Sequence, residues 1–64
     1  MIWRKVVSGT YITGDGAFKI QRSFDGNMRP NGWQLLQRDG DGWQWLNTYP
    51  VIDDAKDAAE KNAQ

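Results

Sequence analysis

Few side chains in this sequence are of types that do chemistry. Asp39-Gly40-Asp41-Gly42 alternates carboxylates with glycine, as the start of a calcium loop does. An EF-hand loop continues with oxygen ligands to a Glu at about its twelfth position. Here Trp43, Gln44, Trp45 and Leu46 follow, so the stretch reads as a tight turn. Asp53 and Asp54 form a second carboxylate pair. They open a helical pattern, where carboxylates stabilise the positive end of the helix dipole without any catalytic part. Ser8 and Ser23 have no candidate base, because the chain has no His. It also has no Cys, which removes thiolate chemistry, disulfides and Cys metal sites. Gly14-Asp15-Gly16 does not extend into a G-x-G-x-x-G phosphate loop. No nucleophile–base or acid–base set can be assembled, so the sequence predicts a non-enzymatic protein with no cofactor, metal or small-molecule substrate.

What remains is binding chemistry. The formal net charge is zero, yet the charges are unevenly placed. Residues 1 to 38 carry Arg4, Lys5, Lys19, Arg22, Arg29 and Arg38 against Asp15 and Asp25, a balance of +4. Residues 39 to 64 carry Lys56 and Lys61 against Asp39, Asp41, Asp53, Asp54, Asp57 and Glu60, a balance of −4. Such a split can mark a polyanion-binding face or a solvated acidic helix beside an ordinary sheet. Lys19, Arg22, Gln34 and Arg38 are the candidate contacts to duplex DNA, since Arg and Gln read base edges and Lys holds phosphate. The rival surface is apolar. Ile12, Leu36 and Leu46 would meet a protein, either a second copy or another chain, joined by Phe24 and Met28 from a loop. Zero net charge favours the protein partner, and the charge split favours DNA.

These residues need a frame. A chain of 64 residues is one domain. At this size only about 60% of the unfolded surface is buried, so the aromatic residues must supply much of the core. Val6-Val7 and Tyr11 to Thr13 read as one bent or bulged strand over about 3–13, interrupted at Ser8-Gly9. Gly14-Asp15-Gly16 is a hairpin turn into the alternating strand Ala17 to Arg22. Ser23 to Gly32, "SFDGNMRPNG", reads as a long loop. Its Phe24 and Met28 either fold back as a lid on the core or serve as binding elements, and the lid is favoured. Trp33 to Arg38 and Trp43 to Thr48 are strands joined by the Asp39 to Gly42 turn. Both show apolar residues on two sides, unlike a sheet with one wet face. Pro50 suits the first position of a helix over about 51–62.

Ile52, Ala55, Ala59 and Ala63 fall at helical spacing and form one small-faced stripe. Alanines let the helix approach the sheet closely, so the sheet must supply the volume between them. The expected filler is the Trp43/Trp45 face with Phe18 and Ile20. The segment Met1 to Val7, with Ile2 and Trp3, either seals the opposite face or leaves it open. The fold class expected is α+β, a small three- to four-stranded antiparallel sheet packed against one C-terminal helix.

The stretches "GTYITGDGAFKIQRS" and "GWQLLQRDGDGWQWLNTYPVIDDAKDAAEKNA" resemble short uncharacterised proteins of actinobacterial phages and their hosts. Trp33 to Ala59 is also similar in pattern to the ethylene-response DNA-binding domain of plants and to the arm-binding domain of tyrosine recombinases. Those resemblances imply a three-stranded sheet on one helix that reads DNA with its sheet face. The function expected is therefore a phage- or mobile-element-type binding protein that contacts a protein partner or forms a homo-oligomer. The alternative is a sheet-face DNA-binding protein with a regulatory or recombination-accessory role. No apolar run is long enough to span a bilayer. Met1 to Lys5 lacks an apolar signal-peptide core, so a cytoplasmic location, the host's if phage-encoded, is expected.

Overall fold

The structure is a computed structural model and describes residues 1–63. The chain folds as β1 (Trp3–Val7), β2 (Thr10–Thr13), β3 (Phe18–Phe24), β4 (Pro30–Asp39), β5 (Gly42–Tyr49) and α1 (Ile52–Ala63). The strands form one antiparallel meander in the order β1-β2-β3-β4-β5, and α1 packs across β3, β4 and β5. The class is α+β as expected, but the sheet has five strands, not three to four.

The extra strand comes from Ser8-Gly9. The sequence suggested a bulge there, whereas the chain reverses completely. Gly9 sits at φ 80°, a left-handed conformation that glycine adopts without Cβ strain. The β-branched runs on both sides of the turn then pair as a hairpin, Trp3 opposite Thr13 and Arg4 opposite Ile12. The Gly14 amide donates to the Ile2 carbonyl at 2.9 Å and extends that ladder past the strand end. The N-terminal segment therefore widens the sheet at one edge and seals neither face.

The other turns follow their local chemistry. Thr13 is buried, and its Oγ1 donates to Asp15 Oδ1 at 2.7 Å while accepting the Phe18 amide at 3.1 Å. Asp15 Oδ1 also accepts the Ala17 amide at 3.0 Å, so one carboxylate organises the β2–β3 hairpin. These donors hold the Asp15 carboxyl below its ordinary range, the Thr13 hydroxyl being the larger cause. Half of the expected loop 23–32 is strand, because β3 runs to Phe24 and β4 begins at Pro30. Asp25 closes what is left, its Oδ1 accepting the amides of Asn27 at 2.8 Å and Arg29 at 3.0 Å. No lid forms: Phe24 is 50% exposed and Met28 77%.

The core is Phe18, Ile20, Leu35, Ala55 and Ala59. Ala55 and Ala59 are fully buried, so the small-faced stripe does bring the helix onto the sheet, with Ile52 half-buried beside them. Ala63, the last residue of that stripe, is exposed. Pro50 and Val51 make the bend before the helix, and Asp53 and Asp54 occupy its first turn. The expected Trp43/Trp45 filler is a correction. Trp45 is 55% exposed, and the volume comes from Phe18, Ile20 and Leu35, rimmed by Trp3, Tyr11, Trp33, Leu46 and Tyr49.

A bulge in β5 causes the exchange. Leu35 pairs with Asn47 while Leu36 pairs with Trp45, leaving Leu46 as the additional residue. A regular β5 would put Trp43, Trp45, Asn47 and Tyr49 on one face. The bulge changes the phase, so Leu46 and Tyr49 both meet the core while Trp43 and Trp45 turn away. The two-sided apolar pattern of this strand is thus two one-sided patterns joined out of phase.

Candidate functional site

Strand register assigns every side chain to a face. Phe18, Ile20 and Leu35 mark the helix side, so their pleat neighbours lie on the other side. That other face carries one continuous row across all strands: Arg4, Ile12, Lys19, Leu36 and Trp45. A second row beside it is Thr10, Gln21, Gln34 and Thr48. Arg38 opposite Trp43 completes the surface toward the β4–β5 turn. The helix lies on the opposite side, and among the described residues no other element covers this one.

The side chains on this face contact one another. Lys19 Nζ lies 4.8 Å from the centre of the Trp43 ring, and the Arg38 guanidinium carbon lies 4.6 Å from it. The electron-rich ring face attracts both cations. Arg38 is fixed further by a hydrogen bond from its Nε to the Gly16 carbonyl at 3.0 Å. Trp45 is oriented by its indole N–H, which donates to Thr48 Oγ1 at 3.3 Å. Gln34 Nε2 donates weakly to Ser23 Oγ at 3.4 Å.

The surface is electrostatically one-sided. Its strand residues include Arg4, Lys19 and Arg38 and no carboxylate. The carboxylates are in the turns and loop at Asp15, Asp25 and Asp41, at the end of β4 at Asp39, and on α1 at Asp53, Asp54, Asp57 and Glu60. The charge split seen along the sequence is in part a split between faces.

The residues expected to contact nucleic acid are thus only partly brought together. Lys19, Gln34 and Arg38 share the uncovered face. Arg22 does not: it pairs with Trp33 on the helix side, its guanidinium 4.7 Å from that ring. There it continues a rim of Tyr11 and Trp33, whose rings are 6.1 Å apart, with Lys56 over Tyr11 at 5.6 Å. Arg4 takes its place on the uncovered face. No sequence signal separated Arg4 from Lys5, because the β1–β2 register decides which of them points outward.

The residues expected to contact protein also divide. Ile12 and Leu36 are half-buried on the uncovered face, either side of Lys19. Leu46 is withdrawn from that patch, because the bulge turns it into the core. Phe24 and Met28 stand exposed at the β3–β4 end, Met28 in the left-handed region at φ 62°. Trp43 and Trp45, expected in the core, are the large aromatics of the uncovered face, Trp45 the more exposed. Among the described residues no group of His, Cys, Asp and Glu is placed to hold a metal, and no helix is long and apolar enough to cross a membrane.

No family model matches the chain, and no solved structure matches it. It is similar in part to two Hemagglutinin A sequences of Porphyromonas gingivalis, 42% identical over 38 residues in each case. The likeness takes in 59% of this chain but 2% of one relative and 1% of the other, so the chain spans a very small part of the curated relatives it matches.

Proposed function

We propose that this chain is a non-catalytic binding module that holds nucleic acid on the uncovered face of its sheet. One observation carries the reading: Arg4, Lys19 and Arg38 project from that face, and the one strand carboxylate, Asp39 at the end of β4, falls by alternation on the other. Cations gathered on one face of a sheet attract a polyanion and release its counterions on contact. The test is an anisotropy titration of labelled DNA of random sequence at several salt concentrations. With three cations engaged, the slope of log K against log salt should be roughly −2 to −3. Absence of binding at low salt, or binding indifferent to salt, refutes the reading.

A second reading rests on a different observation. Trp45 is exposed beside Leu36, with Ile12 beyond Lys19 in the same row, and Ile2, Val6 and Val7 are exposed along the β1 edge. Apolar surface next to an open strand edge is where another chain docks, so a protein partner or a second copy is the alternative. The partial likeness to Hemagglutinin A sequences is consistent with this alternative. Solution mass with and without DNA separates the two: self-association that Leu36→Glu abolishes, with no DNA binding, selects the protein partner.

A further inference from the structure

Resting on that nucleic-acid reading, we infer that the ligand is single-stranded, with an unstacked base lying on the Trp45 indole and phosphates held by Arg4 and Lys19. Shape argues against a duplex. Five strands at about 4.8 Å spacing make a face roughly 19 Å across. The major groove is about 12 Å wide and admits a helix or a two-stranded ribbon. A face this broad cannot reach base edges inside a duplex and would touch only its outer phosphates. A single strand offers its bases to a flat surface, and this surface has what bases need.

Trp45 is 55% exposed, and its ring is oriented by the hydrogen bond to Thr48, so an indole face is ready without rearrangement. Leu36 and Ile12 continue an apolar floor from it, with Lys19 between them and Arg4 at the far end of the row. A strand crossing the sheet along this row meets a stacking platform first and cations after it. Gln21, Gln34, Thr10 and Thr48 lie alongside with both donors and acceptors, which suits any base edge and implies little sequence preference. Trp43 has a different part. Lys19 and Arg38 lie within 4.8 Å of its ring centre, so it gathers two like charges whose repulsion a phosphate relieves.

The experiment compares a labelled oligothymidine with a mixed-sequence duplex of the same length, at low salt, for the wild type, Trp45→Ala and Trp45→Phe. The single strand should bind more tightly than the duplex. Trp45→Ala should weaken the single strand by about 5- to 150-fold, the range for loss of one stacked base, and leave the duplex unchanged. Trp45→Phe should restore much of the loss. Circular dichroism of each variant checks the fold. Duplex binding as tight as single-strand binding, or an unchanged single-strand affinity in Trp45→Ala, overturns the inference and leaves the broader nucleic-acid reading standing. Binding of neither nucleic acid overturns that reading, and this inference with it.

Discussion

Replacing Ala59 with Leu tests how closely the helix lies on the sheet. Ala59 is fully buried and belongs to the cluster of Phe18, Ile20, Leu35 and Ala55. Leu is nearly as good a helix former as Ala, so the helix itself loses almost nothing. The isobutyl group must instead displace the helix or force core side chains from their rotamers, at a cost of about 1–3 kcal/mol. The whole domain, at 64 residues, is expected to be stable by only about 3–10 kcal/mol. Domains of this size lose about 4–8 °C in Tm per kcal/mol, so the melt should fall by about 4–24 °C. Thermal denaturation followed by far-UV circular dichroism measures it. Glu60→Leu, on the exposed side of the same helix, is the control and should stay within about 0.5 kcal/mol of wild type. A wild-type melt for Ala59→Leu would show that a gap separates helix from sheet, and the close-approach argument would fail.

Leu35→Ala should cost about 2–5 kcal/mol, because Leu35 is fully buried, whereas Trp45→Ala should stay within about 0.5 kcal/mol despite removing a larger side chain. Urea titration ranks them, and the reverse order would refute the phase change at Leu46. Gly32→Ala should destabilise the fold: the residue sits at φ 140°, and a Cβ there would lie 2.7 Å from the Tyr49 carbonyl oxygen. Gly26→Ala, where a Cβ meets open space, should be tolerated in the same melting assay, and equal losses at the two sites would refute the clash. Asp15 is held below its ordinary pKa by the Thr13 hydroxyl and then the Ala17 amide. Its stabilisation is therefore full above the unfolded-state pKa and is lost as pH falls through the lower folded value. Asp15→Asn should flatten that acid limb of a Tm-against-pH curve, and an unaltered limb would show that other carboxylates set it.

Local chemistry was legible in the sequence. Gly14-Asp15-Gly16 and Asp39-Gly40-Asp41-Gly42 are turns because their conformation depends on adjacent residues alone, and Gly16 and Gly40 do take positive φ. The helix and its buried Ala55 and Ala59 were legible for the same reason, since a stripe at helical spacing is a property of one segment. Alternation along β4 likewise puts Trp33 and Leu35 on one face and Leu36 on the other, as the structure has them. Everything that depended on pairing between strands was decided by tertiary structure. Whether Ser8-Gly9 kinks one strand or joins two is settled by what Trp3 to Val7 pairs with, and the best partner is Thr10 to Thr13. Whether Trp45 or Leu46 enters the core depends on one bulge opposite Leu35, which moves a strand's side chains to opposite faces without altering its composition. The same pairing withdrew Arg22 and Leu46 from the uncovered face and put Arg4 and Trp45 on it. Side-chain type was readable one residue at a time. The binding face was not, because a face of a sheet belongs to all five strands at once.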